Sequence, residues 1–355
     1  MAKTPVAVLG ATGMVGQRFV QLLVDHPWFE LKALTASKRS AGKRYEEAAK
    51  WFLRPPMPEE IKDTEVLPTS EKSVEGADIV FSALPTSTAK DVEPKMAEAG
   101  HLVASNASSY RMEPDVPLLI PEVNPDHLAL LDEQKDRRDW DGAIVTNPNC
   151  TTIILVLALK PLFDDFGIKR AFVSTMQALS GAGYGGVKSM EIQDNLIPYI
   201  GKEEWKTENE TLKILGKLED NKVSPAKIKV SSSCHRVPVL DGHTEAVFLE
   251  LEKKANPKQA SKSLSDFVAR PQELGMPTAP EQPIIVDERN DRPQPRSARF
   301  AGSIPGMAIV VGRIRKDPVL KNGLKFIVSG NNVIRGAAGA SVLNAELIKS
   351  EGFLE

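Results

Sequence analysis

Apolar residues follow two different rhythms along this chain. In the first 149 residues, short apolar runs alternate with helical patterns. Val6-Ala7-Val8-Leu9 ends at Gly10, and Phe19, Leu22 and Leu23 then recur at helical spacing within residues 15–24. Residues 31–35, 79–84 and 102–104 repeat the strand signal. Strands separated by helical stretches predict a parallel sheet covered on both faces. From Cys150 the rhythm changes. Residues 153–159 predict an apolar helix, and residues 170–176, 228–231, 245–251, 308–314 and 324–329 read as strands with few helices between them. That pattern predicts a mixed or antiparallel sheet in a separate α+β domain. Residues 277–283 and 287–295, rich in proline and charge, are expected to be surface connections. Residues 336–349 predict an amphipathic helix whose alanine and glycine face packs closely on a neighbour.

A chain of 355 residues is long for one core, so two domains are expected. The composition, 41% hydrophobic and 26% charged, is that of a globular enzyme. A net charge of −2 offers no field for nucleic acid or an anionic membrane. Two cysteines cannot build a disulfide framework, and their neighbours lack metal-ligand spacing, so no metal is expected. The cysteine usage and the absence of a signal-peptide pattern suit the cytoplasm, and no apolar run approaches the length of a membrane span.

Against that background a few motifs carry chemistry. Gly10-Ala11-Thr12-Gly13-Met14-Val15-Gly16 follows the first strand and opens a helix, as a turn that cradles a pyrophosphate does. Its G-x-x-G-x-x-G spacing departs from the usual dinucleotide pattern, and a plain structural turn is the competing reading. After the second strand, where an acidic residue would select NAD, stand Ser37, Lys38, Arg39 and Ser40, which suit the extra phosphate of NADP. Asn106 and Arg111 lie beyond another strand, where ligands of open α/β sheets bind. Asn147-Pro148-Asn149-Cys150-Thr151-Thr152 places a thiol at a helix start, where free N–H groups and the helix dipole are expected to lower its pKa. That thiol is either a nucleophile or a buried filler. His243, in Asp241-Gly242-His243-Thr244-Glu245, is a general acid–base candidate or a lone structural histidine. Cys234 reads as structural.

Taken together, Gly10-Ala11-Thr12-Gly13, Ser105-Asn106-Ala107-Ser108, Asn147-Pro148-Asn149-Cys150, Gln177 with Ser180-Gly181-Ala182-Gly183, Asp241 to Glu245, and residues 331–339 resemble the aspartate-semialdehyde dehydrogenase family, particularly its archaeal and fungal branch. The resemblance runs over essentially the whole chain. It implies a Rossmann-like, doubly wound NADP-binding domain (residues 1–149 with 332–355) and an α+β catalytic and oligomerisation domain with a large mixed sheet (150–331). It implies NADPH-dependent conversion of aspartyl phosphate to aspartate semialdehyde and phosphate through a thioester at Cys150, within lysine, threonine, methionine and isoleucine biosynthesis. By the same resemblance His243 shuttles the proton and Gln177 orients the substrate. Arg236 binds the substrate carboxylate, Arg111 and Lys206 bind phosphate, and Glu203 takes the amino group, with Glu204 the alternative at that spacing. Gly10, Thr12, Gly13, Met14, Val15, Ser37, Arg39, Ser40, Ser82, Leu84, Pro85, Asn106, Ser180 and Gly181, with Asn331 or Asn332, fall at cofactor positions. A homodimer or homotetramer is implied. The rivals are a malonyl-CoA reductase or an N-acetylglutamyl-phosphate reductase of the same fold, and a non-catalytic NADPH-binding regulator. The presence of both Cys150 and His243 argues against the regulator.

Overall fold

Both rhythms become sheets in the computed structural model, which describes residues 2–354. The first sheet contains β1 (Thr4–Leu9), β2 (Phe29–Ala36), β3 (Val66–Pro68), β4 (Ile79–Ser82), β5 (Leu102–Ser105) and β6 (Ala143–Thr146). Their order is β3-β2-β1-β4-β5-β6, and every pairing is parallel. All residues of β4, β5 and β6 are buried, which is why these strands carry no alternation. Helices α1 (Met14–Leu23), α2 (Thr86–Glu98) and α3 (Leu130–Arg138) pack on the sheet. The strand order reverses between β1 and β4, which opens a crevice at their carboxyl ends.

The chain then enters α4 (Cys150–Phe166), whose residues from Thr151 to Leu159 are all buried. The second sheet is built around it from β7 (Ile168–Gln177) and, after a small hairpin of β8 (Lys217–Glu219) and β9 (Lys222–Ser224), from β10 (Lys229–Arg236), β11 (His243–Leu251), β12 (Ile284–Asp287), β13 (Ile309–Lys316) and β14 (Gly323–Gly330). The order is β10-β7-β11-β14-β13-β12, with parallel pairs at the two edges and antiparallel pairs between them. Along β11 burial alternates strictly. His243, Glu245, Val247, Leu249 and Leu251 are buried, and Val247 and Leu249 join the apolar cluster of α4, while the other face stays half-exposed. Helix α5 (Glu203–Ile214) lies across β10 and α4, and α6 (Pro257–Ser265) packs on α4, β12 and β13.

Some expectations are corrected. The strand expected over 79–84 ends at Ser82, and the one expected over 228–231 runs on to Arg236. The carboxyl-terminal segment is a π-helical turn (Ile334–Ala338) followed by α7 (Gly339–Ser350), and it is not amphipathic: every residue from Gly339 to Ile348 is buried. It packs against α1, β4 and β5, so both of its sides are covered. Its polar Glu346 is paired inside, with the His26 ring at 2.8 Å and the Thr278 backbone N–H at 3.1 Å. That contact also buries Thr278, so residues 277–283 are not wholly a surface connection.

Candidate active site

Cys150 is the first residue of α4, and Asn149 caps that helix. Asn149 Oδ1 accepts the N–H groups of Thr151 (3.0 Å) and Thr152 (3.4 Å), and its Nδ2 donates to both oxygens of Glu203 (3.0 and 2.9 Å). The second sheet brings three strand ends to the same place. Arg236, the last residue of β10, pairs in register with Gln177, the last of β7. Thr244 pairs with Met176, which sets His243, the first residue of β11, alongside. His243 Nε2 lies 3.1 Å from Cys150 Sγ.

The protonation of this dyad follows from its partners. The Ala178 N–H donates to His243 Nδ1 at 3.1 Å, which assigns the ring hydrogen of the neutral imidazole to Nε2, facing the sulfur. Burial, followed by the Arg236 charge, pushes His243 down to about 3. Cys150 is only partly covered as a residue, but its sulfur is tightly enclosed, and burial pushes the thiol up to about 12. Glu203 adds to the rise, while Lys206, Arg236 and Arg111 oppose it. The expected lowering of the thiol pKa is therefore overturned. The N–H groups of the first turn that would stabilise a thiolate are taken by Asn149 Oδ1, and desolvation dominates.

The charged residues around the thiol come largely from one face of α5. Glu203 and Lys206 pair at 2.8 Å. Glu204 turns away, accepting the Cys234 N–H of β10 at 3.2 Å, so Glu203 is the one at the site. Arg111 is buried, with Nη1 on Glu210 Oε1 (2.9 Å) and Nη2 on the Asn106 carbonyl (2.8 Å). Arg236 is also buried, its Nη1 on the Ala178 carbonyl at 2.6 Å, and Gln177 lies beside it with its amide 3.4 Å from Thr175 Oγ1. A Cβ on Gly181 would stand 2.7 Å from Arg236 Nη1 and 3.2 Å from His243 Cε1, so the Ser180–Gly181 loop closes directly over the dyad. A Cβ on Gly336 would stand 2.8 Å from that of Cys150. Glu210 and Lys213, central to this arrangement, were missed in the sequence. Their signal was spacing alone, since Glu203, Lys206, Glu210 and Lys213 recur every three or four residues.

Most of the residues expected at the cofactor lie along the crevice of the first sheet. Gly10 adopts φ +74°, and a Cβ on Gly16 would meet the Gly10 carbonyl at 2.1 Å, so the turn folds against α1 only without side chains. Thr12 and Gly13 complete that turn, and Met14 and Val15 open α1. The Thr12 carbonyl accepts from Gln17 Nε2 at 2.9 Å. Ser37 and Arg39 are exposed beyond β2, and Ser40 is buried there. No acidic side chain stands at that strand end, so the residues present fit the additional phosphate of NADP. Ser82 ends β4, with Leu84 and Pro85 leading into α2. Asn106 Oδ1 accepts from Asn147 at 3.2 Å. The two asparagines after β14 separate in role. Asn331 Oδ1 accepts the N–H groups of Val333 and Ile334 (both 2.9 Å), whereas Asn332 accepts from Gly242 (2.8 Å) and donates to Ser180 Oγ (2.8 Å) next to the dyad. A cavity of about 570 Å³ lies at the amino ends of β4–β6, bounded by Gly76–Asp78, His101 and Phe353, away from this constellation.

Comparison with known proteins gives a consistent result. The model of the semialdehyde dehydrogenase NAD-binding domain matches residues 5–131, and that of the semialdehyde dehydrogenase dimerisation domain matches residues 159–335. The aspartate-semialdehyde dehydrogenase of Methanothermobacter thermautotrophicus is 57% identical over 97% of this chain and 98% of its own length. The malonyl-CoA reductase (NADP) of Metallosphaera sedula is 40% identical over 98% of each chain. The crystal structure of aspartate-semialdehyde dehydrogenase with NADP from Candida albicans is 41% identical and superposes with a TM-score of 0.91, covering 99% of this chain and 100% of that one.

Proposed function

This chain belongs to the aspartate-semialdehyde dehydrogenase family and is an NADP-dependent oxidoreductase of aspartate-family amino-acid biosynthesis, and we propose that Cys150 and His243 carry the reaction. The observation behind these roles is the 3.1 Å contact between Cys150 Sγ and His243 Nε2, with the charges of Glu203, Lys206, Arg236 and Arg111 bearing on the thiol's pKa. In the reductive direction Cys150 sulfur attacks the acyl carbon of L-aspartyl 4-phosphate. The bond from that carbon to the phosphate oxygen breaks, the thiol proton leaves with the phosphate, and a thioester remains. NADPH, when bound, supplies the hydride that reduces it. His243 Nε2–H donates to the oxygen of the resulting thiohemiacetal. The oxyanion re-forms the carbonyl as the C–S bond breaks, a proton from solvent restores the Cys150 thiol, and L-aspartate 4-semialdehyde departs.

Arg236 suits the substrate carboxylate, since its planar fork donates two parallel hydrogen bonds. Glu203 suits the amino group, Lys206 and Arg111 the phosphate, and Gln177 the acyl oxygen side. Gly10, Thr12, Gly13, Met14, Val15, Ser82, Leu84, Pro85 and Asn106 would hold the cofactor along the crevice, with Ser37, Arg39 and Ser40 at its 2′-phosphate. Ser180, Gly181 and Asn332 would meet its nicotinamide end, which favours Asn332 over Asn331. A dimer or tetramer formed through the half-exposed face of the second sheet is consistent with Phe172, 42% exposed there, and with the matched dimerisation domain. Among the described residues no helix is long and apolar enough to cross a membrane, and we place the enzyme in the cytoplasm.

The test is phosphate-dependent NADP reduction by the purified protein with L-aspartate 4-semialdehyde. Absence of that activity, together with NADPH oxidation by malonyl-CoA, would favour the acyl-CoA reductase reading instead. The higher identity to the aspartate enzyme, 57% against 40%, supports the former.

A further inference from the structure

We propose that Glu210 is a positioning residue that ties the phosphate-binding arginine to the peptide preceding the nucleophile. The inference rests on the reading of Arg111 as a phosphate contact. Glu210 lies on α5 and is only 1% exposed, and its two oxygens serve two parts of the site. Oε1 accepts from Arg111 Nη1 at 2.9 Å, and Oε2 accepts the backbone N–H of Asn149 at 2.7 Å. Asn149 is the residue that caps α4 and holds Glu203, so one carboxylate fixes both the anion's partner and the frame of Cys150. A buried carboxylate is costly unless its oxygens are used, and here both are.

Lys213, one turn further along α5, completes the clamp. Its Nζ donates to the carbonyls of Arg111 (2.8 Å), Glu113 (2.7 Å) and Val116 (2.8 Å). Arg111 is thereby pinned by its backbone through Lys213 and by its guanidinium through Glu210. It does not swing out to meet an anion; the anion must come to a fixed donor set. Arg111 Nε is buried with no protein partner, so the protein does not use all of the guanidinium's donors. Binding of phosphate and the line of attack by sulfur are thus held to a common rigid element.

The oxidative assay with L-aspartate 4-semialdehyde, NADP and inorganic phosphate tests this. Glu210→Gln must turn an amide NH₂ toward either Arg111 or Asn149, both of which donate. The expected result is a KM for phosphate raised about tenfold or more, since displacing a positioned group by about 1 Å costs up to about 100-fold. The KM for NADP should rise much less than that for phosphate, because Glu210 reaches the cofactor residue Asn106 only through Arg111. In the double variant with Arg111→Ala, the phosphate KM should be no higher than with Arg111→Ala alone. An unchanged phosphate KM, equal rises for phosphate and NADP, or additive effects in the double variant would overturn the proposal. If Glu210→Gln does not fold, Glu210→Asp, which keeps the charge but withdraws it by one methylene, is read by the same criteria. Failure of the underlying function looks different: the unaltered protein would show no phosphate-dependent NADP reduction at all.

Discussion

The neutral resting dyad makes a prediction about the reactivity of Cys150 in the ligand-free enzyme. The perturbation is pH itself. Burial raises the thiol from its ordinary value of 9.0 to about 12, and His243 falls to about 3, so neither group titrates across the neutral range. A rise of about three pH units cuts the thiolate fraction about 1000-fold at any pH below 9. A more basic thiolate is also a better nucleophile, by roughly 20-fold for a Brønsted slope near 0.45, so alkylation should run about 50-fold slower than at an exposed cysteine. The assay is iodoacetamide labelling from pH 5 to pH 10, with the Cys150 peptide resolved from that of Cys234 by mass spectrometry. Cys234 is itself raised to about 11 by burial and serves as an internal comparison. The logarithm of the Cys150 rate should climb with unit slope throughout. A plateau or an inflection below pH 8 would show a thiolate–imidazolium pair and refute the argument that Asn149 and desolvation hold the dyad neutral.

Three further perturbations address other parts of the molecule. Cys150→Ala should abolish turnover and leave NADPH binding, followed by cofactor fluorescence, nearly unchanged; loss of both would mark the cysteine as structural. Arg39→Ala, at the exposed turn after β2, should weaken NADP about tenfold while leaving NAD alone, read from the ratio of the two KM values. Burial raises Glu93, which accepts from Ser105 Oγ at 2.7 Å, to about 7, so the folded state holds this proton more tightly than the unfolded chain. Stability should therefore fall as pH rises from about 4.5 to about 7, by up to about 3 kcal/mol. Glu93→Gln should flatten that part of the profile in urea melts between pH 4.5 and pH 8, and an undiminished slope would contradict the assignment.

How much of this was legible in the sequence depends on how local the determining physics is. The central strands β4 and β5 announce themselves because burial on both faces favours an unbroken apolar run, and β11 does so because burial on one face imposes alternation. β3 and β6 were missed; β6 is no shorter than β4 and β5, and its run Ala143-Ile144-Val145 is a strand signal of the same kind. Cys150 and His243 stood out singly, yet their 3.1 Å contact spans 93 positions and exists only because β11 starts where α4 starts. Glu210 was invisible for the same reason: 61 residues separate it from Asn149, and on its own helix it is one polar residue among many.

Asn149 shows where a local rule fails even with the right element in hand. A cysteine opening a helix suggests a lowered pKa, on the premise that the first-turn N–H groups are free. The residue that makes the helix start well defined is the one that takes those N–H groups. Good capping and thiolate stabilisation thus compete for the same donors, and here capping wins. The sulfur must then draw its anion stabilisation from side chains instead, and Lys206, Arg236 and Arg111 are the groups that oppose the rise in its pKa. Since Lys206 is paired with Glu203, and Arg111 with Glu210, their pull on the sulfur is partly cancelled in the ligand-free state. A substrate whose amino group engages Glu203 would release Lys206 from that cancellation, so activation of the thiol is expected to depend on the very groups that distinguish an amino-acid acyl phosphate from a simpler one.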